Sequence, residues 1–168
     1  MIYLIPSYFP SIVYYWHIVN FNVTFNLSMK YQKQTIRNRC IIMTANGPQN
    51  LVIPINHHKN EGKSLYDHNA EINYSQNWKI KHWKSLQNAY RSSPFFEFYE
   101  EDFRKVFLAD EKLLYRFNIE IISLINKVLG LKKEIKISKR KITHDKYDKR
   151  LIDIKKNFFY DIPEYNQV

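Results

Sequence analysis

Two apolar runs, RCIIMT at residues 39–44 and NLVIPI at 50–55, stand on either side of ANGPQ. No other stretch constrains the fold as much. Asn-Gly and Pro are turn residues, so the three segments together predict a hairpin of two largely buried strands. Leading into it is YQKQTIRNRC, residues 31–40, which places Lys33, Gln34, Arg37, Asn38 and Arg39 at the mouth of the first strand. Arginine carries a planar fork suited to phosphate or carboxylate, so two arginines flanking an Asn make an anion-binding edge. A solvated basic loop is the other reading, and residue types alone leave both open.

Periodicity supplies the remaining elements. IYLI (2–5) reads as a buried strand broken by Pro6, and Ser11 caps a helix over IVYYWHIVNF with Ile12, Tyr15, Trp16 and Val19 as its stripe. VTFNL (23–27) is a strand, residues 56–69 a polar loop and AEINYS (70–75) a weak strand. A helix runs from Asn77 through WKIKHWKSLQNAY, and Pro94 opens a second over FFEFYEEDFRKVF. Asp110 caps a third, with Leu113, Leu114, Phe117, Ile121, Leu124, Ile125 and Val128 facing inward until Gly130 stops it. EIKIS (134–138) alternates like a strand. Strands before and after helices predict a single α/β domain, with α+β as the alternative: a small mixed sheet, helices packed on it and a basic C-terminal arm.

Composition narrows the chemistry. The chain is 168 residues long, with a net charge of +10 and 45% hydrophobic content, enough for one domain with a core. Residues 132–156 hold eleven Lys or Arg against four Asp or Glu. Such a segment gives salt-sensitive contact with an acidic partner, RNA or an anionic membrane, but no motif for specific nucleic-acid reading. The opening MIYLIPSYFPSIVYYWHIV lacks a basic start and carries two prolines, and no run reaches the roughly 18 to 20 apolar residues of a membrane span. The expectation is a soluble cytoplasmic protein without a transmembrane segment, of unspecified oligomeric state.

Three glycines cannot build a glycine-rich phosphate cradle, and neither a P-loop nor a G-x-S-x-G is present. The lone Cys40 excludes a disulfide framework and a multi-cysteine zinc site, and it reads as structural. His57 and His58 are adjacent, which suits a solvated loop better than a metal site, so no metal ligand is assigned. On the helix from Asn77, Trp78, His82, Leu86 and Tyr90 recur every fourth residue. His82 is then either a buried histidine satisfied by its neighbours or a general base beside an aromatic pocket.

YQKQTIRNRCIIMTANGPQNLVIPI strongly resembles the WbqC-like family of bacterial proteins, closest to its Bacteroidetes-type branch. NWKIKHWKSLQNAYRSSPFFEFYEEDF and SYFPSIVYY carry the resemblance further, over about residues 2–131. It implies a core at 1–131 and a basic segment at 132–168 that is shortened relative to the family. It also implies a setting in surface-polysaccharide biosynthesis of the O-antigen or lipopolysaccharide kind. The expected activity is group transfer on a nucleotide-linked sugar by a transferase, with no cofactor named. The residues carried over for a phosphorylated or carboxylated small-molecule substrate are Tyr31, Lys33, Gln34, Arg37, Asn38, Arg39, Asn46, Trp78 and Tyr90, with His82 as the catalytic group. Gly47 and Pro48 complete the motif. Relatives carry acidic, Gln or His residues where this chain has Asn26, Leu27 and Ser28. The alternative is therefore a non-catalytic or degenerate binding or scaffold protein with an anion-binding edge.

Overall fold

A strand that runs parallel to its successor needs a crossover between them, and the N-terminal segment supplies one. In the computed structural model, which describes residues 1–56, 64–142 and 148–150, β1 (Ile2–Leu4) leads through α1 (Ile12–Asn20) into β2 (Val23–Asn26). The two strands pair in parallel with Tyr3 opposite Thr24. Ser11 caps α1 by accepting a hydrogen bond from the Tyr14 amide at 3.3 Å. The face that α1 buries differs from the expected stripe: Tyr14, His17 and Ile18 are buried, whereas Ile12, Trp16 and Val19 are exposed. Almost every position of this helix is apolar or aromatic, so periodicity does not select a face. Polar anchoring contributes to the choice, because the Tyr14 hydroxyl donates to the Ile5 carbonyl just beyond β1.

The hairpin forms with β3 at Arg39–Thr44, as its pattern predicts, and β4 at Gly47–Val52. Its loop is shorter than expected. Thr44 faces Gly47, leaving only Ala45 and Asn46 to turn the chain, so β4 starts three residues before Asn50. Gly47 takes the left-handed φ of +99° that this tight loop requires. Pro48 lies opposite Met43, on a strand whose outer edge has no partner strand among the described residues, so its missing N–H costs no ladder bond. Only one face of the hairpin is covered. Cys40, Ile42 and Leu51 point into the core, while Ile41, Met43 and Val52 face outward, so the expectation of two largely buried strands holds for one face alone.

Three helices follow: α2 (Trp78–Tyr90), α3 (Phe96–Leu108) and α4 (Leu114–Val128). Asp110 does not cap α4. Its exposed carboxylate pairs with Lys79 at 3.2 Å, and Glu111 accepts the Leu113 amide instead. Gly130, at φ +66°, ends the helix where expected. The Leu131 amide reaches back to the Asn126 carbonyl and the Gly130 amide to that of Lys127, a Schellman closure. AEINYS contributes only isolated bridges, Ile55 to Ile72 and Glu71 to Leu113.

Helix α4 is the wall between two cores. On one side Phe117 and Ile121 pack with Tyr8, Ile42, Leu51, Trp78 and Phe107. On the other, Ile122 joins Ile2, Leu4, Tyr14, Ile18 and Phe25. Between them the buried Asn118 donates to the carbonyls of Pro6 (3.1 Å) and Arg37 (2.7 Å), tying the end of β1 to the loop that precedes β3. Far along the chain, β5 (Lys136–Ser138) adds in parallel to the open edge of β2. Asp148 bridges Tyr3 on the other side of β1. Residues 136–138 of the basic segment therefore belong to the sheet, and Asp148 and Lys149 touch its other edge at Tyr3. The result is a single α/β domain with a parallel three-stranded ladder and a separate antiparallel hairpin.

Candidate functional site

YQKQTIRNRC folds as a turn that feeds β3, and its side chains divide into two groups. Arg37 points inward. Its Nε bonds Asp67 Oδ1 at 2.6 Å and its other nitrogen reaches Oδ2 at 3.3 Å, with the two side chains only 3% and 4% exposed. Asn38 is also buried and donates to the Ile53 carbonyl at 2.9 Å. These two residues brace the turn against the 64–69 loop and the end of β4. Burial pushes the Asp67 carboxyl above its ordinary value, while Arg37 and then Arg150 pull it back. Tyr31 lies beside this pair, its hydroxyl buried without a hydrogen bond and its phenol pushed up by burial.

Gln34 and Arg39 belong to the other group. Both line a cleft of about 770 Å³ between the turn, the Ser7–Ile12 segment and the outward face of β3, with Tyr90 from the end of α2 closing one side. Gln34 has a φ of +56° and Phe9, across the cleft, one of +42°. They are the only non-glycine residues with positive φ among those described. Left-handed backbone costs an L-residue of order 1–2 kcal/mol, and such strain collects where a binding site dictates the geometry. Arg39 Nε is buried and has no hydrogen-bond partner among the described residues. A buried donor left unsatisfied is costly.

Behind the cleft lies an aromatic column. Tyr8 forms part of the cleft wall, and its hydroxyl donates at 2.8 Å to Nδ1 of His82, which packs edge-on against Trp78 with ring centres 5.2 Å apart. A backbone hydrogen bond with Val52 engages the imidazole as well. Burial lowers the His82 pKa from 6.5 to about 4, against the smaller upward pull of Val52. The imidazole is therefore neutral at pH 7, and the tautomer with Nδ1 as acceptor follows from its partners. His82 and Trp78 thus stand in the core one layer back, reaching the cleft only through Tyr8. Cys40 also lines the cleft, but burial pushes its thiol up to about 12, far from the thiolate a nucleophile needs.

Lys33 and Asn46 are exposed, on the turn and at the hairpin tip, and neither lines the cleft. His57 and His58 lie outside the described residues. Among the described residues no cluster of three or more His, Cys, Asp or Glu is arranged to hold a metal. Sequence reasoning missed Asp67, which sits in an aperiodic polar loop, and Arg150. The Arg150 guanidinium is held by Asp148 at 2.6 Å and by Asn26 Oδ1 at 3.0 Å, and lies 3.3 Å from Ser28 Oγ. Asn26 and Ser28, the positions flagged as departures from relatives, are thereby occupied in seating Arg150 at the end of β2.

Residues 6–162 match the sequence pattern of the WbqC-like protein family. The chain belongs to the WbqC-like family. The match runs past residue 131 through most of the basic segment, as suits a fold in which β5 completes the three-stranded sheet and Asp148 bridges Tyr3. No curated protein and no solved structure gives a match. No helix of this WbqC-like chain is long and apolar enough to cross a membrane, among the described residues.

Proposed function

We propose that the Arg39 cleft binds an anionic sugar derivative and that this WbqC-like protein acts in surface-polysaccharide biosynthesis, in group transfer on a nucleotide-linked sugar. Cytoplasmic residence fits that role, since nucleotide-linked sugars are made there. The observation that carries the reading is Arg39, whose Nε is buried without a hydrogen-bond partner among the described residues, lining a cleft together with the strained residues Phe9 and Gln34. Arg39 takes the phosphate or carboxylate, and Gln34 and Tyr90 meet sugar hydroxyls. His82 is a positioning residue that anchors the Tyr8 ring in the cleft wall through its hydroxyl.

A second reading, a binding protein without turnover, is favoured by one observation: His82 is neutral, buried and committed to Tyr8 and Val52. Calorimetric titration with sugar 1-phosphates and nucleotide-linked sugars tests the shared part of both. Arg39→Gln should weaken binding at least about tenfold, the usual scale for a charge-assisted pair. Unchanged affinity would remove the anion site. Release of free nucleotide in the same mixtures supports transfer, and binding without it supports the second reading.

A further inference from the structure

The lining of the cleft makes two different demands on a ligand. Among the described residues Arg39 is its one cationic lining residue, and no carboxylate lines it. Ile41 and Met43 stand beside it on the same face of β3, and Ile12 lines the cleft as well; the three are 66%, 51% and 55% exposed. Ile41 and Met43 alternate with the buried Cys40 and Ile42 along β3, so the pleat directs both to the cleft side of the hairpin. Ile12 opens α1 across the gap. Single exposed aliphatic residues are ordinary on a protein surface, but three of them gathered around one groove form an apolar wall.

The polar groups are correspondingly few. Ser7 Oγ donates to the Ile36 carbonyl, Ser11 caps α1, and Thr35 donates to the Gln32 carbonyl and accepts from Arg37. Arg39, Gln34 and Tyr90 remain to meet a ligand. A nucleoside diphosphate brings more than one negative charge and a hydroxyl-rich body, so one guanidinium answers only part of it and the aliphatic wall answers none. A single anionic group joined to an alkyl or prenyl chain suits both demands.

We propose that the occupant of this cleft is an amphiphile with one anionic head, a monophosphate ester or a carboxylate, bound at Arg39 with its chain along Ile12, Ile41 and Met43. This rests on the reading of Arg39 as an anion site and departs from the nucleotide-linked sugar in the ligand class it assigns to the cleft. The apolar term scales with chain buried, and about two methylenes contribute a tenfold gain in affinity.

The test uses the full chain and four probes at concentrations below micelle formation: methyl phosphate, octyl phosphate, octanoate and the neutral octyl glucoside. Octyl phosphate or octanoate should bind at least about tenfold tighter than methyl phosphate, and whichever of the two is tighter identifies the head. Octyl glucoside should bind more weakly than either. The double variant Ile41→Ser/Met43→Ser, altered only at exposed positions, should erase the chain preference and keep methyl phosphate binding. Arg39→Gln should weaken all three anions. Equal binding of methyl and octyl phosphate, both dependent on Arg39, would overturn the amphiphile and leave the anion site standing. A chain preference that survives the double serine variant would place the amphiphile elsewhere and likewise overturn this proposal. Anion binding indifferent to Arg39→Gln would remove the anion site and this inference with it.

Discussion

Acidification should destabilise this protein through His82, and the size of the effect follows from its surroundings. The imidazole is 6% exposed, packs against Trp78, and accepts from the Tyr8 hydroxyl. Its pKa falls from 6.5 to about 4 because burial penalises the charged form. Between those values the unfolded chain binds a proton that the folded chain does not. Stability is therefore complete above about pH 6.5 and is lost as the pH falls toward 4, with a slope of at most about 1.4 kcal/mol per pH unit and a total of about 3 kcal/mol. Asp67 works in the opposite direction. Its raised carboxyl pKa makes a contribution that is full below 3.8 and is lost as pH rises through the folded value. A comparison isolates His82: urea unfolding of the wild type and of His82→Gln, which does not titrate, at steps from about pH 7 to pH 4. The difference between the two stabilities should shrink by about 3 kcal/mol over that range. Direct NMR titration of the His82 ring provides a second measurement should the variant fold poorly. A flat difference curve, or a ring that titrates near 6.5, would refute the burial argument.

Asp67→Ala should cost about 3–5 kcal/mol in denaturant unfolding, because it strands the Arg37 guanidinium in a dry site; a loss under about 1 kcal/mol would mean that Arg37 finds water or another partner. Gln34→Gly should stabilise by up to about 1 kcal/mol, since glycine adopts a φ of +56° without strain and this gain exceeds its entropy cost in the unfolded chain; a lower thermal midpoint would contradict it.

Local chemistry was legible wherever local chemistry decides. The RCIIMT run predicts β3 to the residue, Ser11 caps α1 and Gly130 closes α4, each by an interaction within a few positions. The hairpin loop reads longer in the sequence than it is, because Pro48 and Gln49 resemble turn residues, yet an edge strand tolerates both. The face of α1 was illegible because its sequence is apolar nearly all round. The candidate site depends on distant parts of the chain. Arg37 and Arg39 are two residues apart with similar side chains, and what separates their roles is Asp67, thirty residues on, which claims only the first. Likewise, the spacing of Trp78 and His82 shows a shared face but not its depth, because Tyr8, 74 positions away from His82, stands between that face and the cleft.

The placement of β2 at the centre of its sheet bears on how the chain reaches its native state. One neighbour, β1, is joined to it by a single short helix, but the other, β5, arrives only after the hairpin and three more helices. Arg150 then meets Asn26 across 124 positions of sequence. Closing loops of that length is slow, so the α2–α4 and hairpin half, rich in nearer contacts, organises first. During synthesis β2 waits with an open edge until the basic segment emerges from the ribosome, and over that interval the nascent chain is exposed to strand-to-strand association with its neighbours.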